Sequence, residues 1–185
     1  MGHFKLRSGG LDGLGIIEKR PLGDERGHLM RMFCAEELRP FGWRGQIAQI
    51  NQTYTRTKAT IRGVHFQNPP HAETKIVTCL KGSVFDVAVD LRPNSPTFMQ
   101  WSAQILSEDN HLSFYIPEGF AHGFQTLSDE VQMLYFHSTA YAPEHESGIM
   151  PLDADLNIAW PLPAGTLSER DKSLPSAQEL KESLS

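Results

Sequence analysis

A short stretch of the chain, IRGVHFQNPPHAETK from Ile61 to Lys75, concentrates side chains that could perform acid–base chemistry. Its ionisable members are Arg62, His65, His71, Glu73 and Lys75. Imidazole has a reference pKa of about 6.5, close to neutral pH, and therefore suits proton transfer. Arginine binds phosphate groups through a planar, two-point geometry. The mixture predicts a site that binds an anion and moves a proton.

A second stretch of interest is IPEGFAHGF, residues 116–124, which has the pattern Pro-x-Gly-x-x-His. Its histidine, His122, lies between Ala121 and Gly123, and these small neighbours leave room for a ligand beside the imidazole. A strand, a turn and a second strand with no further role would also fit these residues. The pattern resembles the second sequence motif of the cupins, which are small antiparallel β-barrels of the jelly-roll type.

The resemblance to cupins does not extend to their metal site. Many cupins bind a metal through two histidines one residue apart, a glutamate and the later histidine. Here His65 is followed by Phe66 and Gln67, and this region contains no His-x-His pair. Because ligands of suitable type and spacing are missing, we predict that no metal is bound there.

The segments that carry these residues have the alternation typical of β-strands. In IAQINQTY, Gln49 and Asn51 are two positions apart and therefore share one face. In IRGVHFQ, regular alternation places Arg62 and His65 on opposite faces. Five more segments rich in β-branched and aromatic residues follow at a spacing of roughly ten to fifteen residues: TKIVTCLKG, SVFDVAVDLR, FMQWSAQILS, HLSFYIPEG and VQMLYFHSTAY. This pattern predicts an all-β sandwich or barrel and not a parallel βαβ fold.

The length of 185 residues predicts a single domain that spans residues 1–185. The glycine-rich residues 1–14 are expected to form a flexible arm, and the polar residues 172–185 a C-terminal tail. Short helical segments are predicted at Ala35–Leu38 and around Ala177 to Leu184, outside the strand-like segments.

The amino-acid composition indicates a globular protein. Hydrophobic residues make up 39% and charged residues 21%, as in globular proteins. The formal net charge of −5 argues against a nucleic-acid-binding surface. No apolar run approaches the roughly 20 residues of a membrane span, and the first residues lack a signal peptide. Two cysteines, Cys34 and Cys79, are too few for a disulfide framework, so the expected location is the cytoplasm.

Several motifs taken together resemble one family: RGVHFQ, GSVFDVAVDLRPNSPTF, IPEGFAHGF and the later AP-E-x-GI and W-P elements. They resemble the dTDP-4-dehydrorhamnose 3,5-epimerase family, the nucleotide-sugar epimerase branch of the cupins, from Gly23 to Asp171. The resemblance implies a mostly β, cupin-type antiparallel jelly-roll barrel with short peripheral helices. It also implies epimerisation of a nucleotide-linked 4-keto-6-deoxyhexose at C3, C5 or both. No cofactor is expected, because the ketone already serves as the electron sink.

The resemblance further implies roles for individual residues. His65 matches the general base, Asp171 its carboxylate partner and Tyr135 the general acid. Lys75 matches the lysine near the keto oxygen. Substrate-binding positions are matched by Arg26, Gln49, Asn51, Arg62, His122, Glu146 and Arg170. In the family the GDERG segment that contains Arg26 can reach the neighbouring subunit, which implies a homodimer.

Some alternatives stay open on sequence grounds. Phe136 and Ala140 stand where the family commonly has a lysine and a tyrosine, which resembles members that make sugars other than rhamnose, and some of those members epimerise one carbon only, at C3 or at C5. Arg31 stands where a glutamate is common near the nucleotide, which leaves the identity of the base open, with thymidine as the default. Two other hypotheses about the function are a metal-dependent cupin isomerase or dioxygenase, and a non-catalytic sugar-nucleotide binding module. The resemblance assigns no role to His71 or Glu73.

Overall fold

The computed structural model describes residues 2–184, which form two antiparallel sheets around a shared apolar core. The strands are numbered in chain order. The larger sheet consists, in spatial order, of β1 (Phe4–Ser8), β2 (Gly15–Lys19), β10 (Leu112–Ile116), β7 (Lys75–Lys81), β12 (Val131–His137) and β5 (Gln49–Thr55). The smaller sheet consists of β13 (Glu146–Gly148), β6 (Ile61–Gln67), β11 (Phe120–Thr126), β8 (Ser83–Asp90) and β9 (Trp101–Ser107).

The remaining elements are short and peripheral. A two-stranded hairpin is formed by β3 (Leu22–Asp24) and β4 (Gly27–Leu29). The helices are α1 (Ala35–Leu38), α2 (Glu169–Lys172) and α3 (Ala177–Leu184). The mostly β antiparallel jelly-roll architecture with short helices is therefore confirmed. Within residues 2–184 no helix has the length and apolar character needed to cross a bilayer.

Apolar side chains from both sheets meet in the interior. Val77 of β7 and Phe114 of β10 pack in the same buried cluster as Ala88 of β8 and Leu106 of β9. All four side chains are fully shielded from solvent. Burying such residues on two facing sheets removes apolar area from water and holds the barrel together.

The first residues differ from expectation, because part of the predicted flexible arm forms β1. Its register with β2 runs from Phe4 opposite Lys19 to Ser8 opposite Gly15. Phe4 and Leu6, two positions apart, pack against a buried cluster at this edge. That apolar alternation is the physical reason for the strand. At the other end of the chain, α3 covers the range predicted to be helical.

Strand β6 departs from regular alternation in a way that matters for the site. Its pairing with β11 places His122 opposite His65 but Phe124 opposite Arg62, with a shift of register between them. Gly63 lies at the irregularity with a φ of +101°, and a Cβ there would lie 2.6 Å from the His122 carbonyl oxygen. Only glycine tolerates this conformation and this close approach. The irregularity brings Arg62 and His65 to one cleft, so the prediction of opposite faces was wrong.

Candidate active site

A cleft of about 590 Å³ opens inside the barrel, and both sheets line it. Strands β5, β7 and β12 contribute one wall, and β6 and β11 contribute the other. Of the eleven predicted site residues, ten line this cleft: Gln49, Asn51, Arg62, His65, Lys75, His122, Tyr135, Glu146, Arg170 and Asp171. Residues far apart in the chain therefore share one cavity.

His65 and Asp171 form a close pair. The Nε2 atom of His65 lies 2.8 Å from Asp171 Oδ1, and the carboxylate is buried. Ser168 caps α2 by accepting a hydrogen bond from the Asp171 backbone N–H, which fixes the carboxylate at the start of that helix. The other ring nitrogen, Nδ1, lies 4.0 Å from Glu146 Oε1, beyond hydrogen-bond distance. An imidazole held in this way presents Nδ1 as the free basic atom.

The pKa of Asp171 lies below its usual range. Burial alone would raise it, but the hydrogen bond and positive charge from His65, with further donors at Ser168 and Gly63, outweigh burial. The carboxylate is therefore ionised at neutral pH and can stabilise a protonated His65. This electrostatic arrangement is the one that a general base of the imidazole–carboxylate type requires.

Tyr135 lies on the opposite wall from His65. It belongs to β12 in the larger sheet, and its side chain is buried. Its hydroxyl lies 3.4 Å from Thr53 Oγ1 of β5. Burial is the main reason that the pKa of Tyr135 is raised above its ordinary value. The phenol therefore keeps its proton at neutral pH and can act as a donor.

Lys75 takes part in a buried chain of charges that was not predicted from the sequence. Its Nζ lies 2.9 Å from Glu73 Oε1, and Glu73 Oε2 lies 2.7 Å from His137 Nδ1. Burial would raise the pKa of Glu73, but the hydrogen bond from His137 and the charge of Lys75 hold it below its usual range. One available signal was the alternation that places Tyr135 and His137 on the same face of β12.

A second histidine–carboxylate pair lies deeper in the cleft. His122 Nε2 is 2.8 Å from Asp86 Oδ1, and both side chains are buried. Burial raises the pKa of Asp86, while the charge and hydrogen bond of His122 act in the opposite direction. Asp86 was missed, although an acidic residue inside the apolar strand SVFDVAVD was a visible signal.

Glu146 is the centre of a group of connected polar side chains in the cleft. Arg170 forms an ion pair with Glu146, and the Tyr141 hydroxyl donates to Glu146 Oε2 at 2.5 Å. The backbone N–H of Tyr141 donates to Gln49 Oε1 at 3.1 Å. Tyr141 was not among the predicted site residues. It links the Gln49 side of the cleft to the Glu146 side.

Arg26 is the one predicted site residue that lies elsewhere. It lies in the turn between β3 and β4, where its Nε donates a hydrogen bond to Asp24 Oδ1 at 3.1 Å. Its side chain is 84% exposed, and it does not line the cleft. The fold of one chain therefore does not bring Arg26 to the other ten residues.

Comparison with known proteins gives a consistent result. The sequence profile described as dTDP-4-dehydrorhamnose 3,5-epimerase matches residues 9–179. The enzyme of that name from Streptomyces griseus is 39% identical over 178 residues, which cover 95% of this chain and 88% of the relative. A dTDP-4-dehydrorhamnose 3-epimerase from Streptomyces niveus is 36% identical, over 91% of this chain and 82% of the relative.

A solved structure extends the likeness to three dimensions. It is a dTDP-6-deoxy-D-glucose-3,5-epimerase from Legionella pneumophila Philadelphia 1 in complex with dTDP-4-keto-L-rhamnose. It superposes with a TM-score of 0.92 at 38% identity and covers 98% of this chain and 97% of that one. These matches run along almost the whole barrel. This protein is therefore an isomerase that belongs to the dTDP-4-dehydrorhamnose 3,5-epimerase family.

Proposed function

We propose that this protein epimerises a dTDP-linked 4-keto-6-deoxyhexose at C3 and C5, with His65 as base and Tyr135 as acid. The observation that carries the proposal is the His65–Asp171 pair, at 2.8 Å, on the wall opposite the buried Tyr135. A base and an acid on opposite walls can remove a proton from one face of a sugar ring and return one to the other face.

The chemistry needs no change of oxidation state. Hydrogens on the carbons beside the C4 ketone are acidic, because loss of a proton leaves an enolate. His65 Nδ1 takes the proton, and the electron pair of the broken C–H bond moves onto the ketone oxygen. Tyr135 then donates its phenolic proton to the opposite face of the same carbon. Ionised Asp171 stabilises the imidazolium between these two steps.

Lys75 is proposed to stabilise the enolate oxygen. A fixed positive charge close to a developing oxyanion lowers the barrier most when the site is shielded from water. Only about a tenth of the Lys75 side chain is exposed, and Glu73 holds one hydrogen of its ammonium group. The ammonium group keeps two further hydrogens for the substrate.

The nucleotide and diphosphate are proposed to bind along the polar rim of the cleft. Arg62, which shares the cleft with His65, suits two-point binding of a phosphate. Gln49 and Asn51 project from β5 and offer amide groups for the thymine and the sugar. His122, Glu146 and Arg170 complete the predicted substrate contacts within this cleft.

We also propose a cytoplasmic homodimer in which the β3–β4 hairpin reaches the partner's cleft. Arg26 is exposed on this hairpin, beside Leu22 at 46% and Leu29 at 65% exposure. Exposed leucines on a small hairpin favour burial against another surface. A cytoplasmic location is supported by the free thiols of Cys34 and Cys79.

A subunit-mixing experiment tests whether Arg26 of one subunit acts in the cleft of its partner. The variants Arg26→Ala and His65→Ala should each show impaired turnover as pure proteins, at substrate concentrations below KM. After subunit exchange, a mixed dimer has one cleft with both residues intact, if the hairpin crosses to the partner. Statistical mixing of equal amounts should then restore about a quarter of the wild-type activity. No recovery after verified exchange would show that Arg26 does not act across the interface.

The carbons that react can be read from hydrogen exchange. We expect incubation with dTDP-4-keto-6-deoxyglucose in deuterated water to label both C3 and C5, because one base removes each proton in turn. NMR or mass spectrometry of the recovered sugar measures the label. Label at C3 alone would instead indicate the single-carbon reaction, the activity for which the 36% identical relative from Streptomyces niveus is named. Absence of label at both carbons would contradict the proposed function.

A further inference from the structure

Two histidines and a glutamate cluster at the surface, outside the cleft. His71 lies in the loop between β6 and β7, and Glu144 and His145 lie in the 3₁₀ turn Pro143–His145, which directly precedes β13. One ligand atom from each residue lies within 4.8 Å of the other two. The rings of His71 and His145 stack with centroids 4.4 Å apart. None of the three residues lines the cleft.

The backbone around both histidines is held in place by two neighbouring side chains. Gln67, which is buried in β6, donates to the His71 carbonyl at 3.0 Å and accepts from the Ala142 N–H at 2.6 Å. Asn68 donates to the His145 carbonyl through its backbone N–H at 2.8 Å and through its side chain at 3.2 Å. The histidines are therefore brought together by hydrogen bonds that do not involve their rings. Such pre-organisation lowers the cost of binding a ligand between them.

We propose that His71, Glu144 and His145 bind a divalent cation of the zinc class. Two neutral imidazoles and one carboxylate form a ligand set suited to Zn²⁺, Co²⁺ or Ni²⁺, whereas Mg²⁺ and Ca²⁺ prefer oxygen ligands alone. Ligand atoms on one tetrahedral Zn²⁺ lie roughly 3.3 Å apart, given Zn–N distances of about 2.0–2.1 Å. The three ligand atoms, which lie within 4.8 Å of one another, must approach one another by up to about 1.5 Å through rotation of their side chains to bind one ion.

A cation at this position would join two segments that both adjoin the cleft. Glu146 follows His145 directly and pairs with Arg170 and Tyr141, while the loop of His71 leads into β7 and Lys75. A cation that binds the folded chain stabilises it in proportion to the logarithm of its free concentration. The site is therefore a structural clamp at the rim of the cleft and supplies no atom to the reaction.

Calorimetric titration of EDTA-treated protein with ZnCl₂ tests the proposal. We expect one Zn²⁺ per chain with micromolar affinity, and a rise in the melting temperature in the presence of ZnCl₂ but not of MgCl₂. The double variant His71→Gln/His145→Gln should bind at least about 100-fold more weakly, because it loses two ligands. Its melting temperature in EDTA should equal that of the wild type, which separates loss of the ligands from loss of the fold.

His28 and His111 provide a matched control. Their rings are also neighbours, with centroids 5.9 Å apart, and within residues 2–184 they belong to no group of three close ligands. The variant His28→Gln/His111→Gln should bind Zn²⁺ as tightly as the wild type. Binding that survives in the His71/His145 variant, or wild-type binding weaker than millimolar, would overturn the proposal. The visible absorption of bound Co²⁺ provides a second readout, and it should disappear in the His71/His145 variant alone.

Discussion

Replacement of His65 by alanine should abolish epimerisation and hydrogen exchange at every ring carbon. His65 is the only residue among the predicted catalytic groups whose basic atom is free, since Asp171 occupies Nε2 and leaves Nδ1 available. General bases contribute about 10² to 10⁴-fold, and removal of the base that starts both reactions should cost at least this factor. Proton NMR in deuterated water measures exchange and inversion in one experiment.

A second histidine provides the control for this variant. His71→Ala changes a histidine six positions further along that lies outside the cleft, so turnover should be retained. A decrease of only tenfold in the His65 variant would contradict the role of base. The affinity of His65→Ala for dTDP should be close to that of the wild type. Ligand binding without turnover in the wild-type protein would instead indicate a sugar-nucleotide binding module.

Replacement of Tyr135 by phenylalanine should separate proton removal from inversion. Without the hydroxyl the acid on the second wall is missing, but His65 can still remove a proton and return a deuteron to the same face. We expect net inversion to fall by about 10² to 10⁴-fold while deuterium enters C3 or C5. Product stereochemistry and deuterium content are measured on the same sample.

The fold of this variant should be preserved, because the hydroxyl makes only a long contact of 3.4 Å with Thr53 and the aromatic ring remains. Tyr54→Phe is the matched control, since Tyr54 lies nearby on β5 with 47% of its surface exposed and does not line the cleft. Epimerisation at the wild-type rate by Tyr135→Phe would refute the role of acid. Loss of exchange together with inversion would indicate that the hydroxyl orients the substrate.

Local patterns in the sequence were enough to predict most of the strands and helices. The segment IRGVHFQ is β6 over its full length, and Ala177–Leu184 is helical as expected. Alternation and turn residues are properties of neighbouring positions and can be read without the rest of the chain. Phe4–Ser8 escaped prediction because the strand adjoins a glycine-rich segment, although Phe4 and Leu6 alternate correctly.

Residue types and motif order predicted which side chains belong to the cleft, but not how they pair. The bond between His65 and Asp171 joins residues 106 positions apart, and that between Glu73 and His137 joins residues 64 apart. Neither of these pairings follows from the periodicity of the sequence, because each depends on which strands and helices become neighbours in the barrel. Glu73 therefore looked like a loop residue until its buried partners were known.

The chemistry available to this protein was already present in its amino acids: an imidazole base, a phenol, a lysine and an arginine in motifs of one family. Their geometry depended on tertiary structure. The shift of register between β6 and β11 brings Arg62 and His65 into one cleft, although alternation separates them. The position of Arg26, outside the cleft of its own chain, is likewise a property of the fold. Contacts of this kind arise from the packing of distant segments, which local sequence does not encode.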